Sequence, residues 1–175
     1  GIPPFAAYYS KDVIIEAAYA SSSFAGYYAF LMGIVAAFLT AFYSWRLLFL
    51  TFHGTSRSDE KTIARVHESP KSMIFPLLFL AFGACFSGYL AFDNFVGQDS
   101  SMFWGSSLLV LEHHTALDDT ELINVWVKRL PIIVSISGIL LAYIFYIKTP
   151  ELPRFIAHKF YKTYNFFLNK WYFDE

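Results

Sequence analysis

Three stretches of the chain, Tyr27 to Trp45, Ser72 to Phe92 and Leu130 to Ile147, contain no Asp, Glu, Lys or Arg. Each has the ~17–25 residues that a helix needs to cross a hydrocarbon layer about 30 Å thick. Soluble domains spread their apolar residues over amphipathic faces, whereas here they are gathered into uninterrupted runs. The expected class is therefore all-α, a polytopic membrane helical bundle. The composition agrees: of 175 residues 56% are hydrophobic and 21% aromatic, with 15% charged, where a soluble domain has about a quarter charged. A net charge of −1 supplies no field to attract nucleic acid, and no nucleic-acid partner is expected. Cys85 is the single cysteine, which excludes an internal disulfide framework and a multi-cysteine metal centre. The chain opens at Gly1, shows no basic-then-apolar leader and stops just after an aromatic cluster, as expected of a piece of a longer protein.

The expected organisation starts with the second part of a broken transmembrane helix and a short loop over 1–26, then a transmembrane helix over 27–52. A loop over 53–69 leads to a second such helix over 70–92, a connection over 93–129 and a third over 130–148. A basic amphipathic segment over 149–175 follows. Ala29, Gly33, Ala37 and Ala41 form a small-residue stripe on the first span, Gly83, Ser87 and Ala91 on the second, and Gly138 and Ala142 on the third. Such stripes let neighbouring helices approach closely. Ser69-Pro70 marks the start of the second span, and Pro76 is expected to kink it mildly.

Basic residues concentrate in two places. Arg57, Lys61, Arg65 and Lys71 follow the first span, and Lys148, Arg154, Lys159, Lys162 and Lys170 follow the third. By the positive-inside rule those segments face the cytoplasm or matrix, and three alternating spans put them on the same side. In the tail, Ile156, Phe160, Tyr164, Phe167 and Trp171 fall on one helical face, a pattern that lies along the membrane interface and contacts its lipids.

The chemistry sits in the first sixteen residues. Pro3 and Pro4 remove backbone donors, and a helix is expected to break and restart between Pro3 and Ser10, with Ser10 as a candidate N-cap. A break at membrane depth is tolerated only inside protein or beside water. From Lys11, the positions three, four and seven residues on are Ile14, Ile15 and Ala18, an apolar face. Asp12 and Glu16 are one turn apart on another. Loss of hydration disfavours the charged form of a lysine, so an ammonium held in such a bundle can give up and retake a proton. The same pair is also compatible with a plain helix end at the interface, where Asp12 favours the dipole. Arg46, near the end of the first span, reads as a side chain reaching for headgroups or as an accessory pore charge. His53 and His67 read as interfacial groups or relay members, and His113-His114 as a solvated loop. No metal site, nucleotide fingerprint or redox motif is expected in the chain.

Taken together, Gly1-Ile-Pro-Pro-Phe with Tyr9-Ser-Lys11-Asp12-x-Ile-Ile-Glu16 resembles the broken-helix motif of the antiporter-like membrane subunits of respiratory complex I. Phe38-Leu-Thr-Ala-Phe-Tyr-x-x-Arg46, Phe52-His-Gly54, His67-Glu-Ser-Pro70 and Trp171-Tyr-Phe-Asp174 are similar to the distal L type, NADH dehydrogenase chain 5. The resemblance covers the whole chain. It implies that Lys11 takes up and passes on a proton, with Asp12 as its charged neighbour; Glu16, His53 and Arg46 are candidate accessories by position, and the resemblance assigns no role to His53, His67 or Arg46. It also implies a helix break at the N-terminal end, a lateral helix beyond the tail, and an earlier half-channel outside this sequence. NADH, FMN, iron–sulfur clusters and quinone would belong to other subunits, and the M-type antiporter-like subunit would be the adjacent partner. The implied location is a bacterial inner membrane or a mitochondrial inner membrane. Ala7 departs from the glycine usual in the family. The first motif is shared with multi-subunit cation/proton antiporters, which gives the alternative reading of antiport without electron transfer.

Overall fold

Neither Pro3 nor Pro4 can donate a backbone hydrogen bond, and Phe5 stays extended at φ −64°, ψ 146°. The first helix, α1 (Ala6–Ala20), starts directly behind them. This lies inside the expected interval but five residues before Lys11. Ser10 is consequently interior to the helix, where its hydroxyl donates to the Ala6 carbonyl at 3.5 Å, and it does not act as the N-cap. Ala6 and Ala7 are strong helix formers, so nothing delays the start once the prolines are passed. In the computed structural model, residues 2–54, 58–108 and 115–173 are described. All regular structure among them is helical.

A three-serine turn joins α1 to α2 (Phe24–Leu48). The Ser21 hydroxyl donates to the Ala18 carbonyl at 2.9 Å, and the Ser23 hydroxyl accepts from the Gly26 N–H at 3.0 Å, so the end of one helix and the start of the next are both capped. Beyond α2 the coil widens into a π-helical turn, Phe49–His53. Then come the short α3 (Glu60–Ile63) and α4 (Lys71–Phe95), which continues through Pro76 as one helix. Pro70 is the residue preceding α4, and its carbonyl accepts from Met73 at 2.8 Å. The cap therefore falls one residue after Ser69. After α4 comes α5 (Ser100–Trp104), tied back by the Trp104 indole N–H donating to the Phe95 carbonyl at 3.0 Å.

The third span, α6 (Val125–Tyr143), begins five residues before Leu130. The Asn124 side chain caps it by accepting from the Trp126 N–H at 3.0 Å. Hydropathy marks the part of a helix that lies in hydrocarbon, while the cap marks where the helix begins. Lys128 and Arg129 therefore belong to its first two turns. A second π-helical turn, Ile144–Lys148, ends it. The tail forms two short helices, α7 (Glu151–Lys159) and α8 (Tyr161–Leu168), broken at Phe160 with φ −107°, ψ 41°. Lys170, Trp171 and Tyr172 all have positive φ. Trp171 packs against Phe167 of the expected tail face and against Phe166 beside it, with ring centroids 5.3 and 5.4 Å away.

Three helices are long and apolar enough to cross a membrane: Phe24–His53, Lys71–Phe95 and Val125–Lys148, with mean hydropathy 1.8, 1.9 and 2.3. The largest helix contact is between α2 and α6, which run in the same direction. At Gly138 a Cβ would sit 2.7 Å from the Phe38 carbonyl oxygen and 3.2 Å from the Ala41 Cβ. Ala37 is 2% exposed and Ala142 fully buried. The expected stripes on α2 and α6 therefore meet each other, apart from Gly33, which faces α1, and Ala29, which is exposed. The two π-helical turns adjoin, with Phe49 against Tyr143 at 5.9 Å between centroids. That brings the end of the first span and the end of the third to one side, as alternation requires. The second span, α4, docks on α1 through Tyr9 and Phe92, whose rings are 5.6 Å apart.

A side chain at Gly138 has to push α2 and α6 apart. Gly138→Leu is expected to cost about 1–3 kcal/mol. The cost would be read as a lower unfolding temperature and a smaller yield of assembled subunit on native gels.

Candidate functional site

With 15 residues, α1 is about 22 Å long at ~1.5 Å per residue, too short to cross a bilayer. Its C-terminal end lies at the turn into α2, on the side of the connection between α4 and α6. Lys11 is about 14 Å back from that end along the helix axis. A charged residue within the hydrocarbon is costly unless protein or water receives it.

Helical spacing decides what each side chain meets. Asp12, Ile15 and Tyr19 form the packed face of α1. Asp12 and Ile15 are each 4% exposed, and the Tyr19 ring lies 5.0 Å from Phe30 of α2. Opposite Ile15, Gly33 leaves room that no other residue would, since a Cβ there would stand 3.0 Å from the Ile15 Cγ1. Lys11 and Glu16 flank this face and are half-buried. Ile14, expected to share the lysine's face, is 69% exposed. Among these charged groups the carboxylate of Asp12 is thus the most enclosed, and the ammonium of Lys11 lies at the border of the packed surface.

Two further groups join this set that the sequence reading passed over. Tyr8 precedes Asp12 by one turn, and its phenol lies in the field of Asp12 and Glu16. The i, i+4 spacing to Asp12 was the signal for it. Lys128, near the start of α6, lies within electrostatic reach of Glu16. Its Nζ also donates to the Glu121 carbonyl at 3.4 Å. Nothing in the local sequence announces that approach. Lys11, Asp12 and Glu16 thus follow one another along α1, and Lys128 of α6 comes within reach of Glu16.

Arg46 and His53 are not part of this set. Since Gly33 is level with Ile15 and α1 and α2 are antiparallel, Arg46 lies about 14 Å further along the axis than Lys11. Its guanidinium packs over the Tyr146 ring at 5.5 Å. His53 is exposed and meets Phe49 edge to face at 5.6 Å. His67 is exposed and its Nδ1 is 3.1 Å from the Arg65 carbonyl. His113 and His114 lie outside the described residues, and among the described residues no three His, Cys, Asp or Glu gather into a metal-holding group.

No family model matches the chain. Curated relatives do match over its whole length. It is 40% identical over 177 residues to NADH-ubiquinone oxidoreductase chain 5 of Dictyostelium citrinum, covering 99% of this chain and 26% of that one. The corresponding protein of Phytophthora infestans is 39% identical over 177 residues, and that of Marchantia polymorpha 38% over 185 residues. Both alignments cover 100% of this chain and 26% of the relative. The chain thus spans about a quarter of the length of the relatives it matches.

Ile15 holds the packed face closed, so Ile15→Ala is expected to cost about 2–5 kcal/mol and to admit water beside Asp12. Carbodiimide labelling of Asp12 in the assembled protein should be slow in the parent and clearly faster in this variant.

Proposed function

The chain belongs to the NADH-ubiquinone oxidoreductase chain 5 family, and on that premise we propose that it carries part of a proton half-channel in the membrane arm of complex I. In this reading quinone reduction on other subunits drives the transfer. NADH, FMN and the iron–sulfur clusters also belong to other subunits, and the M-type antiporter-like subunit is the neighbour in the membrane.

The observation that supports the reading is the grouping of Lys11, Asp12 and Glu16 on a helix too short to cross a bilayer, packed against α2, α4 and α6 with Asp12 buried. Lys11 is half-buried at the border of the packed face. Asp12, on the adjoining face, biases the position of positive charge through the helix without forming a simple pair with its sequence neighbour. Glu16, one turn further on, and then Lys128 extend the line of titratable groups towards the far connection. Moving a proton against 100 mV costs ~2.3 kcal/mol. A swing of about two units in a group's proton affinity corresponds to ~2.7 kcal/mol, enough to cover it.

The test uses the intact complex in sealed vesicles. Lys11→Ala is expected to remove most NADH-driven acidification per electron transferred while the complex still assembles. Asp12→Asn, which keeps the shape and removes the charge, is expected to do the same to a lesser degree. An unchanged proton-to-electron ratio in the assembled Lys11→Ala enzyme would refute the relay. Proton exchange driven by a cation gradient, in membranes without electron transfer, would favour the antiporter reading.

A further inference from the structure

At the end of the bundle away from Lys11, a cavity of about 730 Å³ opens between the C-terminal end of α2, the π-helical turn after α6, and helices α7 and α8. Its volume is that of a small-molecule pocket. Its lining is largely aromatic, with Phe42 and Phe145 from the two spans and the exposed Phe160 and Phe167 from the tail. Two cations, Arg46 and Arg154, line the same cavity, and no Asp or Glu lines it.

The arginines are arranged to receive an anion. Arg46 lays its guanidinium over the Tyr146 ring at 5.5 Å, which holds the plane in place and leaves the edge N–H groups free to donate. Arg154 reaches Glu151 at 3.5 Å, but both side chains are largely exposed, at 81% and 76%, so this pair is weak and easily exchanged. Thr163 and Tyr164 add hydroxyl donors to the lining. The cavity thus has a cationic rim over an apolar floor, and it lies on the side where the basic segments gather, at the level where an amphipathic tail meets the bilayer.

We propose that this cavity binds an anionic phospholipid of the surrounding membrane, with its phosphodiester held between Arg46 and Arg154 and an acyl chain along Phe42, Phe145 and the tail aromatics. The charge pattern selects this occupant. A free phosphate would leave the aromatic floor unused, and a zwitterionic lipid would bring a cationic headgroup towards two guanidinium groups. The site also gives the tail its role. The bound lipid bridges α7 and α8 to the ends of α2 and α6, independently of whether Lys11 conducts protons.

The experiment uses the assembled complex in nanodiscs containing a phosphatidylglycerol with a photoactivatable acyl chain, or a phosphatidylcholine with the same chain. Crosslinks are mapped by mass spectrometry. The anionic probe should label residues 145–167 about five- to tenfold more than the zwitterionic one, as charge-assisted hydrogen bonds to phosphate allow. Arg46→Gln and Arg154→Gln should each reduce that preference, and excess inorganic phosphate should leave it unchanged. Equal labelling by the two lipids, displacement by inorganic phosphate, or no label in this segment would each overturn the proposal. In the last case another part of the protein would fill the cavity. Should the variants fail to assemble, the comparison of the two lipids on the parent complex still decides it.

Discussion

Backbone polar groups in hydrocarbon must find partners within the protein, and α1 is too short to cross a bilayer by itself. Helices α2, α4 and α6 and the connection before α6 all touch α1, so its face at Asp12 and Ile15 is covered by elements that follow it in the chain. Shielding also creates the electrostatic environment. Without the enclosure of Asp12 and Ile15, the charges on α1 would be ordinary hydrated groups.

The two ends of the bundle serve different chemistry. Towards the turn between α1 and α2, acidic and basic groups from α1 and α6 approach one another. At the other end, two π-helical turns bring aromatic side chains of α2 and α6 together beneath the tail. Between them, Gly138, Ala37 and Ala142 let α2 and α6 lie in close contact. In a bilayer, where burial against lipid gives no advantage over burial against protein, such close contact is what holds helices together.

Much of this was legible in the sequence. The charge-free runs located all three spans, because length and hydropathy alone decide whether a helix suits the bilayer. The stripes on α2 and α6 located their mutual contact for the same local reason. The stripe on α4 was less informative: a side chain at Gly83 would meet nothing within 4 Å, and the contact with α1 goes through Gly88, beside Ala6 and Tyr9, and through Phe92. The start of α6 was misjudged: Val125 begins it because Asn124 caps it. The start of α1 falls in the expected interval, but at Ala6, directly behind the proline pair, and not behind Ser10. Caps are single-residue events that hydropathy does not register. Of the candidate site, Lys11, Asp12 and Glu16 were readable from their spacing, while Arg46 and His53 belong to the opposite end.

The sequence by itself determined the membrane class, the number of long apolar spans and the proline pair ahead of α1. Each of these depends on neighbours within one turn or on the composition of a run. Only the tertiary structure decided that Asp12 faces inward and Lys11 lies at the border, that Lys128 comes within reach of Glu16, and that Arg46 and Arg154 share a cavity. Those relations join residues up to more than a hundred positions apart. Helix periodicity states which side chains share a face, and helix packing alone states what that face meets.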